Sequence, residues 1–368
     1  MKILHFTYDD PKNKWCGGGG GVRAFEINKR LAKEHEITVI TGKFPNSKNE
    51  IIDNVKFIRI GSSKSYLLSR ITYSFLAPFY VLMSKAKIII NDFSVFSPVF
   101  CEFFTKKPVI NSFYHFVGKH SFKKYSFFGI ISFLVERIIL RISRNIITIS
   151  PSVAEILEKR IKRVKRIKCI YTGVSDSIFN SNIIDDGYIA FIGRIDIYMK
   201  GIDILLEAFN QIEDKNMKLK IAGKGKEKDI NTIKEMIERL NLKNRVEFLG
   251  DLTEEEKKKY LSSSMFVVMP SRFEGWGIVA IEAQACEKAV IGTDIPGLRD
   301  AVKNGETGIL VEPNNPYALM VAMKSLIEDK EKRLQLGRKG KEWAKNFKWD
   351  NIAKEQLEFY KEVINSKG

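Results

Sequence analysis

Short apolar runs rich in β-branched residues alternate along the whole chain with longer stretches of helical period, which points to parallel sheets built from βαβ units. The runs fall into two series. The first predicts strands at 2–7, 37–41, 55–60, 87–91, 109–112, 146–149 and 167–171, and the second at 188–193, 219–222, 246–249, 266–269, 290–292 and 308–311. Between them, residues 175–187 are polar, lack a period and contain an Asp-Asp-Gly turn signal, so they read as a linker. The helical stretch from Trp349 to Ile364 follows the last strand and has to pack on an existing domain; the first is the candidate. At 368 residues the chain has room for two domains. The expected organisation is α/β, with Rossmann-like domains over 1–181 plus 347–368 and over 182–346.

Charge separates the same two halves. Lys and Arg outnumber Asp and Glu by 17, and the whole excess lies in front: residues 1–182 carry 30 basic and 13 acidic side chains, residues 183–368 carry 31 of each. Such an excess attracts nucleic acid, anionic lipid headgroups or phosphorylated substrates, and its sign does not choose among them. The segments 66–87 and 122–144 mix aromatic and aliphatic residues with Lys123, Lys124, Arg137, Arg141 and Arg144, as an interfacial helix would; core helices with basic edges fit equally. The longest charge-free stretch there, 71–84, has 14 residues, too few to span a bilayer. The opening Met1-Lys2-Ile3-Leu4-His5-Phe6 reads as a buried strand and not a signal peptide. Cys16, Cys101, Cys169 and Cys286 are far apart, with no CxxC pair and no metal-ligand spacing, as expected in a reducing cytosol. A cytoplasmic protein is expected, peripheral on the membrane face if those segments are interfacial.

Three loops carry the candidate chemistry. Gly17 to Gly21, including Gly18 and Gly19, separate the first strand from a helix expected near Val22; such a run lets backbone amides approach an anion, with a plain surface turn as the alternative. Gly193-Arg194 ends a strand and is followed by Lys200-Gly201, so Arg194 and Lys200 are expected in the crevice at a strand's carboxyl end, where two cations suit a diphosphate. The third loop, Glu274-Gly275-Trp276-Gly277-Ile278-Val279, opens a helix that carries Glu282. Glu274 and Glu282 would stand about 12 Å apart on a continuous helix, the span of a nucleoside diphosphate sugar, with the amides of Gly277, Ile278 and Val279 facing the phosphates. Helix capping and a solvated helix surface are the plainer alternative. Gly223 after a strand fits either a phosphate contact or a βα turn, and His115, at the end of a strand-loop, is placed to reach a cleft. His5 is expected to be buried.

Taken together these segments resemble the GT-B glycosyltransferases of family 4, the retaining glycosyl transferases group 1. The resemblance covers nearly the whole chain and rests on the Gly17 to Arg23 loop, Ser150, Thr172-Gly173-Val174, Gly193-Arg194 with Lys200-Gly201, the Glu274 to Glu282 E-x7-E motif and Gly305 to Val311. It implies two domains facing across a cleft and a C-terminal helix crossing back to the first. It also implies an NDP-sugar donor on the rear domain, an acceptor on the front one, and transfer without metal or other cofactor; a UDP- or GDP-sugar is the donor expected, and the basic front half suggests a glycan, lipid-linked or phosphorylated acceptor. Arg194 and Lys200 are implied to hold the diphosphate, Glu274 and Glu282 the sugar and ribose, and His115 to lie close to the transferred sugar. The chain departs from the family at Glu287 and Ala289, where Gly and Pro are usual, and at Asp300, where Glu is usual. A left-handed Glu287 would cost about 1 kcal/mol.

Two other readings fit parts of the chain. Another GT-B sugar-nucleotide enzyme, an epimerase or phosphorylase, would need no acceptor alcohol. A nucleic-acid-binding protein would use the basic half, but no recognised module is present and none needs the E-x7-E pattern, so no nucleic acid partner is expected.

Overall fold

The computed structural model describes residues 1–16, 19–114, 127–161 and 166–366. The chain divides into two compact units, Met1–Thr172 with Trp349–Gly368, and Gly173–Lys348.

The front unit is built on an eight-stranded sheet of β1 (Lys2–Phe6), β2 (Glu36–Gly42), β3 (Glu50–Ile52), β4 (Val55–Ile60), β5 (Ile88–Asp92), β6 (Val109–Phe113), β7 (Asn145–Thr148) and β8 (Arg166–Cys169). Their spatial order is β3-β4-β2-β1-β5-β6-β7-β8, all parallel except the β3–β4 pair. The central strands β5, β6 and β7 are buried at every position because helices cover both faces of the sheet there, while β3, β4 and β8 toward its edges keep exposed positions. Ile110 of β6 packs in the layer with the Gly19–Leu31 and Trp349–Asn365 helices. Val109 and Phe113, on the opposite pleat, pack against the Tyr66–Met83 and Phe127–Ile142 helices.

The C-terminal helix is sealed into this unit by Trp349, Ile352, Phe359 and Tyr360, all buried. A buried arginine joins it to the sheet: Arg23 donates to the carbonyls of Ile170 and Tyr171 and to Gln356 Oε1 at 2.7 Å. A planar guanidinium with several fixed donors is suited to bridging three segments of the chain in a dry layer.

The rear unit is a six-stranded parallel sheet of β9 (Tyr188–Ile192), β10 (Lys218–Ala222), β11 (Val246–Gly250), β12 (Phe266–Met269), β13 (Ala289–Thr293) and β14 (Gly308–Val311), in the order β11-β10-β9-β12-β13-β14. The chain runs outward from β9 through β10 to β11, then resumes on the other side of β9 with β12. That reversal opens a crevice beyond the carboxyl ends of β9 and β12. The segment read as a linker belongs to this unit. Ile178 is buried, and Ser181 Oγ lies 3.6 Å from Cys286 Sγ, because the few apolar residues in that polar stretch are enough to dock it.

Candidate active site

The crevice between β9 and β12 is assembled from glycines that let backbone segments touch. A Cβ on Gly223 would stand 1.8 Å from the Gly193 carbonyl oxygen, and one on Gly201 would stand 2.0 Å from that of Pro270. Gly201 is left-handed (φ 64) and separates the Ile197–Lys200 turn from the Ile202–Asn210 helix. Asp196 caps that turn by accepting from the Met199 amide at 3.0 Å, which fixes where Lys200 leaves the backbone. Gly223 thus has a packing role that a βα turn accounts for.

Lys200 lies over Gly193 and donates to Glu274 Oε2 at 2.5 Å. Their side chains are 18% and 15% exposed, so the pair sits at the mouth of the crevice and not in bulk water. Glu274 is held from below: Gly297 (φ 90) packs against the Glu274 carbonyl, with room only for a hydrogen at its α-carbon. Gly277 (φ 74) then turns the chain into the Ile278–Ala285 helix as its N-cap. The first amides of a helix have no acceptor within it, so those of Ile278 and Val279 open toward whatever lies beyond the helix start.

Glu282 lies on the same helix and donates nothing; its Oε1 accepts from Lys257 Nζ at 2.9 Å. Burial pushes the Glu282 carboxyl above the ordinary glutamate value, even with Lys257 beside it. Burial alone would lower Lys257, yet Glu282 and Glu254 hold it above its usual value. The carboxyl of Glu282 is therefore largely desolvated, with its side chain 13% exposed. Both carboxylates of the E-x7-E pattern are matched to a lysine; Glu274 stands outside the Ile278–Ala285 helix and Glu282 within it, so the continuous-helix span of about 12 Å does not apply between them.

The remaining predicted residues divide. Arg194 is 64% exposed, and its nearest carboxylate, Asp196, is 3.9 Å away. Trp276 is buried with its ring edge-on to Phe347 at 5.1 Å, so its indole packs the core and only its backbone faces the loop. Gly275 and Gly277 supply backbone alone. Gly19 begins the Gly19–Leu31 helix three residues earlier than expected: Tyr114 and Asp9 approach Gly20 and Gly21 so closely that a Cβ would meet them at 2.9 and 3.1 Å. Gly18 and His115 lie outside the described residues. His5 is buried between Asn28 Nδ2 at 2.8 Å and Asp92 Oδ2 at 3.1 Å.

Sequence reasoning missed Lys257 and Arg272. Lys257 had a signal, since it stands four residues before the buried Leu261 on the Glu254–Ser263 helix and so shares its inward face. Arg272 straps the loop after β12 to the Ile202–Asn210 helix through a two-pronged bond to Asp203, at 2.9 and 2.7 Å, and also donates to Tyr198 O and Asn314. That contact spans 69 residues, and no local pattern announces it.

Two family models adjoin on this chain: Glycosyltransferase Family 4 matches residues 17–177 and Glycosyl transferases group 1 matches residues 175–343. An uncharacterized glycosyltransferase of Methanocaldococcus jannaschii is 35% identical over 225 residues, 60% of each chain. The D-inositol 3-phosphate glycosyltransferase of Corynebacterium glutamicum is 33% identical over 48% of this chain and 43% of its own. These alignments take in 43% to 60% of the curated relatives' length. Among solved structures, sucrose-phosphate synthase of Thermosynechococcus elongatus matches with a TM-score of 0.85 at 22% identity over all of both chains. HepE of Anabaena, solved with UDP and glucose, matches at 0.77 and 17% identity over 98% of this chain and 100% of its own. The two family models between them account for residues 17–343, and the chain belongs to the family 4, group 1 glycosyltransferases with the GT-B fold.

Proposed function

We propose that the chain is a retaining glycosyltransferase that moves a hexosyl unit from a UDP- or GDP-sugar, held by the rear unit, to a glycan, lipid-linked or phosphorylated acceptor held by the front unit. Transfer proceeds without a metal, in the cytoplasm, at an anionic membrane surface. The observation that carries this reading is the Lys200–Glu274 pair at the crevice where the rear strand order reverses.

In the free enzyme each member of the pair satisfies the other. A diphosphate entering the crevice offers Lys200 a doubly charged partner, and Glu274, released, accepts hydrogen bonds from the hydroxyls of the sugar. Lys200 and the exposed Arg194 then stabilise the charge that builds on the departing nucleoside diphosphate, aided by the Ile278 and Val279 amides. Glu282 receives the ribose hydroxyls. The bond from the anomeric carbon to the diphosphate breaks as the acceptor oxygen approaches from the same face, and the configuration is kept. His115 lies close to the transferred sugar in this reading.

Lys200→Ala and Glu274→Ala are each expected to lower transfer at least about a hundredfold, as loss of one charge-stabilising group does. Circular dichroism should be unchanged, since both groups lie at the crevice mouth. Sugar transfer from UDP- and GDP-sugars, followed by mass spectrometry of the product, makes the check. Turnover equal to the native chain in either variant removes the role assigned.

A further inference from the structure

The Tyr66–Met83 helix is apolar on two opposite sides. Ser69, Tyr73, Ala77 and Val81, at a spacing of four, are buried against the front sheet. Two positions away, and so about 200° round the helix, Leu67, Ile71, Phe75, Phe79, Leu82 and Met83 form a second stripe that faces outward. Phe75 is 75% exposed and Met83 is 82% exposed. A helix apolar all round belongs in a core or in lipid, and this one has only half of itself in a core.

The Phe127–Ile142 helix lies on the same face of the sheet, since Val109 and Phe113 share a pleat and pack against one helix each. Its outward stripe holds Ile130, Leu134 and Ile138, flanked by Arg137 and Arg141 on the same side. Among the described residues from 61 to 142 there are eight Lys and Arg against three acids, Asp92, Glu102 and Glu136. Asp92 and Glu136 are buried, and Glu102 accepts from Asn111, so the outward surface is basic and apolar together.

We propose that this face of the front unit docks on a bilayer carrying anionic lipid headgroups, with the Tyr66–Met83 stripe lying in the interface plane and Arg137, Arg141, Lys64, Lys85 and Lys87 engaging the headgroups. The charge decides the occupant. A second copy of the chain seated on this face would bring like charges together, whereas anionic headgroups neutralise them while the acyl boundary takes up the phenylalanines. No helix among the described residues is long and apolar enough to cross a membrane, so the surface lies on the bilayer. The proposal rests on the transfer reading for its purpose, since a lipid-linked acceptor is presented in that plane, and on the exposed stripes for its evidence.

The test is flotation of the full chain with phosphatidylcholine vesicles and with vesicles containing phosphatidylglycerol, at low salt. The chain is expected to float with the anionic vesicles and not with the neutral ones. Phe75→Ser with Phe79→Ser should cut vesicle binding about tenfold or more, and Arg137→Gln with Arg141→Gln about twentyfold. Both pairs are solvent-facing, and thermal shift by UDP and GDP-sugars reports on the rear unit in the same samples. Equal binding to both vesicle types, no binding to anionic vesicles, or a dimer that the phenylalanine variants dissociate each overturns docking. Flotation with no nucleotide-sugar shift leaves docking in place and removes the donor reading instead.

Discussion

Burial pushes the Cys16 thiol up to about 12, and the Asp9 carboxylate beside it adds to the rise while Arg70 offsets part of it. Only the thiolate attacks an alkylating agent, so at pH 8 Cys16 should react with iodoacetamide about a thousandfold more slowly than a free thiol of ordinary pKa. Asp9→Asn removes the second cause and should speed the labelling, read by peptide mass mapping; labelling of the native chain at the free-thiol rate would contradict the burial. The sequence reveals Cys16 as a cysteine next to a glycine run but not its microenvironment, which the fold makes from Asp9, seven residues back, and the distant Arg70. The same limit applied in the crevice. Lys200 and Glu274 were each legible, since Lys200 follows a strand end and Gly193 while Glu274 follows a strand end and leads into the Gly275–Gly277 turn, but their contact was not, because 74 residues separate them and the strand order that closes the gap is a tertiary fact.

At the scale of elements the reading was close wherever both faces of a strand are buried. Phe266–Met269 has the expected bounds because a continuous apolar run marks a buried parallel strand, and the partly buried Val55–Ile60 and Gly308–Val311 match as well. The edge strand β3 escaped notice: it has three residues, none buried, and its only signal is the Asp53-Asn54 turn, both residues left-handed, that pairs it with β4. Glu287 was legible for a different reason. It stands at the end of the Ile278–Ala285 helix with φ 57, where Lys288 N reaches Ala283 O and Glu287 N reaches Gln284 O, the closing pattern that favours glycine. Its side chain bonds Lys341 at 2.7 Å in a half-exposed pair. Glu287→Gly relieves the left-handed strain and loses that weak pair, so the two changes offset to within about 1 kcal/mol. Gly201→Ala meets the same left-handed geometry with no space at all, its Cβ 2.0 Å from the Pro270 oxygen, and should cost more than about 3 kcal/mol as backbone is forced apart. Urea unfolding of the two variants side by side makes the comparison; equal loss in both would mean that close packing at Gly201 does not hold the crevice.

The whole molecule is organised by a chain that leaves its first unit, builds the second and returns to finish the first. The sequence showed a last helix with no strand to follow it, and an apolar face that had to go somewhere; it did not show the arginine waiting for it. Without the Trp349–Asn365 helix, Arg23 loses Gln356 and keeps the Ile170 and Tyr171 carbonyls and the Tyr114 ring, while one face of the front sheet loses the cover of Ile352, Phe359, Tyr360 and Val363. Burying each such side chain contributes about 1.5–3 kcal/mol, and a domain has only about 5–15 kcal/mol in hand. A chain ending at Lys348 should therefore keep the rear unit folded and lose the front one. Calorimetry is expected to show a single, smaller transition that UDP- or GDP-sugars still shift upward, since a ligand bound only to the folded rear unit stabilises it by mass action. Two transitions at their native temperatures would mean that the front unit closes its core without the returning helix. The same dependence orders synthesis: the front sheet emerges first, yet its core is completed only after the rear unit has been made, so a nascent front unit exposes apolar surface for the whole time the rear unit takes to appear.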